Sequence, residues 1–413
     1  MRLNLDKEKK YLLACSYGPD SMALLGLLQE GGYDFEVAHV NYHFRGKESD
    51  EETANLIRYA EERGYTFHIH DTYYEKHYGN FEAWARHERY QFFKDIISKN
   101  NLLTAVLIGH HQDDLIETYL LQKKRKNRPY WFGLQEEIEI QNIIVLRPLL
   151  DKTRIELREY CLEKEIPFAD DSSNRDLSYS RNKIRHELVE HLTGDERRDL
   201  LKEIQNRNFL LEQMRLKLLK KFSLKKPLPL LDLLTLSEKE FAYLLFMYLS
   251  RRGIHHPLSQ GALREVRKVL LSPKPNIEWK INSDFKFAKA YQKLYLLPNE
   301  QLEKYEIILE KPGKFKNEWL EIDFRSQKTH RGIKKEDYPL TIRSYEDDDE
   351  YEINGYLTSV RRLFIDWKIP QHLRAMWPVF VNQKGEIIYI PRYREDFELV
   401  EDSDLIIRLP FIC

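Results

Sequence analysis

Short apolar runs alternate with longer amphipathic stretches through the first half of the chain. "KYLLAC", "FEVAHVN", "TFHIHD" and "TAVLIG" each read as a buried strand, and helical patterns follow them over 21–31, 49–64, 81–98 and 113–124. A further run, "NIIVLRPLL", precedes a helical pattern over 153–164 and then a polar loop rich in Asp, Ser and Asn. This β-α alternation predicts an α/β fold with a parallel sheet covered by helices on both faces. Loops at the carboxyl ends of its strands should form the rim of a site. Beyond residue 194 the pattern turns helical and basic as far as about 270, reads as short strands over 278–324, and closes as a small α+β region. The expected division is a sheet domain over 1–194, a helical and mixed module over 195–330 and a small α+β domain over 331–413. The acidic run 346–350 reads as a solvated loop.

Composition narrows the class. At 413 residues the chain exceeds one compact core, and two or three domains are expected. No run of eighteen apolar residues occurs and "MRLNLDKEKK" lacks a signal-peptide core, so a cytoplasmic protein without membrane contact is expected. The three cysteines, Cys15, Cys161 and Cys413, form no C-x-x-C pair, which argues against a disulfide framework and against a zinc or iron–sulfur site. A net charge of −1 leaves any nucleic-acid affinity to local basic patches.

Candidate chemistry falls on the loops after strands. Between the first strand and its helix, Ser16, Gly18, Asp20 and Ser21 make a polar turn in "CSYGPDS". Unpaired N–H groups and a positive helix dipole suit such a turn to phosphate, although an ordinary capped turn accounts for the same residues. In "GHHQDDLIET" a helix starting near His111 puts His110, Asp114 and Glu117 at spacings of four and three, on one side, with Asp113 beside them. Such a set suits either a histidine–carboxylate metal site or a polar site for nucleotide, magnesium and an amine. "NFEAWARHERYQFF" reads as an amphipathic helix with Trp84 and Phe92 toward the core and Arg86 and Arg89 one turn apart. "DDSSNRDLSYSRNKIRHELV" places Asp171, Ser172 and Asn174 in a loop and Arg181, Asn182 and Arg185 at a helix start. Arginines of this kind can clamp phosphate through two parallel hydrogen bonds. Basic residues over 123–128 beside Tyr130 and Trp131, and again over 215–226, are candidate RNA contacts.

Together these segments, with "AHVNYHFRGKESDEE", "LRPLLDKTRIELREYC" and the later "LTIRSY" and "RRLFIDWKIPQHLRAMWPVFV", resemble the tRNA(Ile)-lysidine synthetase family in order and spacing. The turn resembles the S-G-G-x-D-S signature of PP-loop ATP pyrophosphatases, and the resemblance implies an adenine-nucleotide alpha-hydrolase-like sheet domain. It further implies a ligase that uses ATP and magnesium. The wobble cytidine of tRNA(Ile) with a CAU anticodon would be adenylated on its carbon-2 oxygen with release of pyrophosphate, and free lysine would then displace AMP. By motif, Ser16, Tyr17, Gly18, Pro19, Asp20 and Ser21 would hold ATP, and Asp20 and Asp114 magnesium. His110 and Asp114 would serve adenylation, and Glu117 would bind lysine. Arg86 or Arg89, with Arg181 or Arg185, would stabilise phosphate charge. A homodimer is compatible with this reading. Tyr17 stands where the signature has glycine, and the expectation is that it keeps a negative φ with its ring turned from the phosphates. The alternatives are a tRNA thiolase, for which the cysteines are lacking, and a tRNA-binding module without catalysis.

Overall fold

The first half of the chain builds a sheet in the order β3-β2-β1-β4-β6-β5. Its strands are β1 (Lys10–Ala14), β2 (Asp34–Asn41), β3 (Phe67–Asp71), β4 (Leu103–Ile108), β5 (Glu137–Ile140) and β6 (Ile143–Leu146). The computed structural model describes residues 1–74, 80–125, 129–169, 180–254, 258–300, 304–316, 321–324, 333–353, 355–392, 399–401 and 405–408. Side chains are described except those of residues 180–182, 399–401 and 405–408. Strands β1 to β4 and β6 are parallel, as the alternating pattern predicts. β5 runs antiparallel to β6 at the edge. That hairpin was not legible as a strand pair: "EIEI" is half polar because it is an edge, and the turn rests on Gln141 and Asn142 at φ 51° and 66°. Two consecutive positive φ values mark the tight hairpin turn that matches strand twist.

Two apolar layers sandwich this sheet. On one face α1 (Pro19–Gly31), α2 (Lys47–Glu62) and α5 (Arg154–Glu163) bury Met22, Leu25, Leu56, Tyr59 and Leu157 against Leu13 and Val37. On the other, α3 (Phe81–Lys99) buries Tyr90, Phe93 and Ile96 against Leu12, Val106 and Val145. The buried face of α3 therefore runs through Ala85, Tyr90, Phe93 and Ile96. Trp84 and Phe92, expected in the core, are only half-buried.

α4 (Gln112–Lys124) follows β4 and packs with α6 (Ser180–Glu187) around Ile116 and Ile184. The chain from β3 crosses over β1 to reach β4, so the strand order reverses between β1 and β4. That reversal opens a crevice at the carboxyl ends of these two strands, where ligands of open parallel sheets bind.

The chain divides into two compact units, residues 1–213 and 214–413, within α7 (Gly194–Lys221). The first turns of α7 hold onto the first unit. Arg197 pairs with Asp113, and the Asn208 amide donates to the Phe132 carbonyl at 2.9 Å while its oxygen accepts from the Phe132 N–H at 2.7 Å. The second unit contains α-helices and antiparallel sheets, and its largest buried cluster among the described residues lies around Trp377, Phe364 and Phe380.

Candidate active site

The turn after β1 is tied together by one hydroxyl. Ser21 Oγ accepts from the Ser16 N–H at 3.1 Å, donates to the Gly18 carbonyl at 3.1 Å, and lies 3.3 Å from Ser16 Oγ. Gly18 is the N-cap of α1 without a side-chain cap, and Pro19 opens the helix with no N–H to satisfy. The first turn of α1 thus points backbone donors and its positive dipole end into the crevice.

Tyr17 corrects one expectation. Its φ is 64°, in the left-handed region. The strain, about 1–2 kcal/mol for a residue with a Cβ, is offset by burying the ring, worth roughly 1.5–3 kcal/mol for a large side chain. The ring lies in the core with Tyr59 and Leu56, away from the turn, and burial pushes its phenol pKa up. Its carbonyl accepts from the Ala169 N–H at 3.0 Å.

Across the crevice Gly109 follows the end of β4. A Cβ there would lie 3.0 Å from the Asp20 carbonyl oxygen and 3.1 Å from the Ser21 nitrogen, so only glycine lets the loop after β4 press against the start of α1. The close approach places His111 beside the turn. Its Nε2 is 3.5 Å from Asp20 Oδ2 and 3.4 Å from Asp114 Oδ2, and Nδ1 is 3.6 Å from Asp113 Oδ2. Burial works to lower the imidazole pKa, but Asp114, Asp20 and Asp113 outweigh it and hold it above the ordinary value. Asp20 Oδ1 is buried with no hydrogen-bond partner among the described residues. An unpaired, buried carboxylate oxygen in a crevice lined by donors suits a hard cation carried in with phosphate. No group of three or more His, Cys, Asp or Glu among the described residues is placed to hold a metal by itself. Magnesium, which keeps waters and substrate phosphates as ligands, does not require one.

α4 begins at Gln112 with His111 as N-cap, so His110 precedes the helix and does not share a helical face with Asp114 and Glu117. Sequence reading passed over His111, whose only signal was its place next to His110. The aspartate pair also separates into two roles. Asp113 accepts from the Arg154 N–H at 2.8 Å, opening α5, and pairs with Arg197 at 2.6 Å, so both its oxygens are structural. Asp114 faces the crevice, with Oδ2 accepting from the His111 N–H at 3.0 Å and Oδ1 3.5 Å from Arg185.

Glu117 and Arg185, read as separate groups for lysine and phosphate, meet one another. Arg185 Nε donates to Glu117 Oε1 at 2.5 Å and Nη2 to Oε2 at 3.2 Å. Glu117 is fully buried. Burial would lower the guanidinium pKa, but the Glu117 carboxylate more than restores it. A second buried arginine escaped notice in "LRPLL". Arg147, just past β6, donates from Nε to His110 Nδ1 at 3.0 Å and from Nη1 to the Gln135 carbonyl at 2.7 Å. A strand that ends in arginine at the carboxyl edge of a parallel sheet was the available signal. Because Arg Nε can only donate, His110 Nδ1 carries no proton and its hydrogen sits on Nε2.

The remaining candidates are more dispersed. Arg89 Nε donates to the Tyr42 hydroxyl at 3.1 Å, and Arg86 is exposed with its guanidinium over the Tyr90 ring. Asp171, Ser172 and Asn174, and the side chains of Arg181 and Asn182, lie outside the described residues. In the basic stretches, Lys123 pairs with Glu203, Lys217 with Glu240 and Lys221 with Asp232, which neutralises part of each patch.

Residues 2–192 match the model of the PP-loop domain. Over 408 aligned residues the chain is 33% identical to the tRNA(Ile)-lysidine synthase of Mycoplasma mycoides subsp. mycoides SC, covering 93% of this chain and 97% of that protein. The chain belongs to the tRNA(Ile)-lysidine synthase family. The Bacillus cereus member is 28% identical over 94% of this chain and 89% of its own length. The Mesoplasma florum member is 37% identical over 47% of this chain and 49% of its own. Among solved structures, the U34-tRNA thiolase NcsA from Methanococcus maripaludis is similar at 16% identity and a TM-score of 0.40, covering 51% of this chain and 75% of that one.

Proposed function

We propose that the protein joins lysine to carbon 2 of the wobble cytidine of tRNA(Ile) with a CAU anticodon, as an ATP-consuming ligase. The observation that carries this reading is the match along 93% of the chain to a protein named tRNA(Ile)-lysidine synthase. In the first step the cytosine carbon-2 oxygen attacks the α-phosphorus of ATP and pyrophosphate leaves. In the second, the amine of lysine attacks carbon 2, loses a proton, and AMP departs with the oxygen. Transfer of this kind asks for positioning and charge neutralisation. The donors at the start of α1, with Ser16 and Ser21, hold the ATP phosphates, while Asp20 and Asp114 would hold magnesium, which would supply further neutralisation there. His110 offers an Nε2 hydrogen as a donor to the adenylation step.

Glu117 and Arg185 neutralise one another without substrate. In this reading Arg185 moves to the phosphate charge of ATP, and Glu117 then receives the ammonium of lysine. Arg86 and Arg89 lie along α3 for the RNA backbone or the leaving phosphate. The unit after residue 213 supplies most of the tRNA affinity, and neither a membrane nor a homodimer is required.

The test combines the full chain with ATP, magnesium, labelled lysine and unmodified tRNA(Ile) bearing CAU. Label transferred to RNA together with AMP and pyrophosphate is the expected result, and its absence removes the reading. Within an active protein, Glu117→Gln should raise KM for lysine more than KM for ATP. Equal changes in both would show that Glu117 acts only through Arg185.

A further inference from the structure

At the carboxyl ends of β2 and β3, one and two strands from the phosphate turn, aromatic rings from three segments meet. Tyr42 and Phe44 follow β2, Tyr73 and Tyr74 follow β3, and Phe81 and Trp84 open α3. Phe44 lies on Phe81 with centroids 4.4 Å apart and planes at 25°, and Tyr73 lies on His43 at 4.2 Å and 5°. The supporting rings are themselves fixed. Phe81 is met edge-on by Tyr42 at 6.0 Å and by Tyr74 at 5.3 Å, and His43 is held between Asp50 at 2.6 Å and Asp71 at 3.0 Å. Yet the two outer rings remain open, Phe44 at 54% and Tyr73 at 66% exposure. Each is backed by a ring on one face and meets solvent over most of the rest.

We propose that Phe44 and Tyr73 are stacking platforms for two unpaired nucleobases of the RNA loop that delivers the reacting cytidine. The proposal rests on the functional reading above. A base drawn into a catalytic crevice leaves the stack of its loop, so the neighbouring bases lose their partners and need other π faces nearby. With strands about 5 Å apart, β2 and β3 put these rings on the same edge of the sheet as the phosphate turn, within the reach of adjacent nucleotides. Rings pre-ordered by stacking lose little freedom when a base lands on them. Arg89, bonded to the Tyr42 hydroxyl, and exposed Arg86 bring cationic groups to the start of the same helix, where an RNA backbone passes. Two separately backed rings call for two bases, and a mononucleotide offers one. The occupant is therefore the RNA loop and not the adenine of ATP.

The test uses the full chain with Phe44→Ala, Tyr73→Ala and Phe44→Trp, and unmodified tRNA(Ile) carrying a fluorescent base analogue on either side of the wobble cytidine. Both rings are exposed, so the folded state should tolerate all three changes, and Phe44→Trp keeps a π face. Wild type should change the fluorescence of both analogues on binding. Each alanine variant should lose the change at one position and bind tRNA about 5- to 100-fold more weakly. Phe44→Trp should behave as wild type, and ATP affinity without tRNA should stay constant in all. Unchanged fluorescence and tRNA affinity in both alanine variants, in a wild-type protein that transfers lysine, would overturn the platform while leaving the function in place. Loss of ATP affinity with tRNA affinity intact would reassign the rings to adenine, and a wild-type protein that binds no tRNA would end both readings.

Discussion

Tyr17 holds a left-handed backbone where a glycine would be free of strain, and two opposing terms decide what its replacement does. Tyr17→Gly relieves about 1–2 kcal/mol of strain but empties a ring-sized space in the core, which costs about 3–5 kcal/mol for large aromatic truncations. Core loss wins, and the variant should be about 1–4 kcal/mol less stable by urea unfolding, with the turn still able to bind ATP. Equal or greater stability would mean that packing of the ring contributes no more than the strain it imposes. A second residue-scale expectation concerns His110. With Arg147 donating to Nδ1, the imidazole nitrogen shifts should report hydrogen on Nε2 alone, and Arg147→Met should remove that preference. Mixed tautomers in the unaltered protein would contradict the assignment.

Among elements, the pair that couples α4 to α6 is the most consequential. Glu117 has no exposed surface and Arg185 is largely buried, so the ion pair sits between helices that also share Ile116 and Ile184. Removing Glu117 takes the two-bond partner from Arg185 and leaves it Asp114 at 3.5 Å in a low-dielectric setting, a loss of up to about 3–5 kcal/mol. Glu117→Ala should therefore unfold at lower denaturant, whereas the Glu117→Leu, Arg185→Met double variant should recover most of that loss while abolishing lysine transfer. Recovery of stability without recovery of activity would separate the structural work of the pair from its chemistry. If Glu117→Ala has no effect on stability, the burial of Arg185 is not maintained in solution.

For the whole molecule, the sheet unit retains α7 as far as residue 213. Ending the chain after 213 should preserve ATP binding and weaken tRNA binding strongly, because near-zero net charge leaves affinity to patches spread over a large surface. Ending it after 194 removes the Arg197 pair with Asp113 and the Asn208 bonds to Phe132, and that shorter protein should be less stable and bind ATP less well. Titration calorimetry with ATP and with tRNA(Ile), and thermal unfolding, on the two truncations and the full chain check both statements. Comparable thermal stability of the two truncations would show that the start of α7 is dispensable to the sheet unit. Among the described residues no helix is long and apolar enough to cross a membrane.

The sequence by itself determined the parallel sheet, because strands buried on both faces must be continuously apolar and their crossover helices amphipathic, and both patterns are local. It also put the turn after β1 and the His-Asp-Glu segment on loops that follow strands, since polar residues that interrupt such a pattern have few other places to go, but that β1 and β4 are neighbours came from the sheet order. Tertiary structure decided the rest. Which histidine entered the acidic crevice depended on where α4 began and on the close approach at Gly109, neither of which is written in residue spacing. The division of labour between Asp113 and Asp114, and the meeting of Glu117 with Arg185 across 68 positions, arose from long-range contacts that only the packed chain creates. Tyr17 shows the same limit at a single residue. Its local preference was for negative φ, and the burial of its ring in a core assembled from β1, α1 and α2 overrode it.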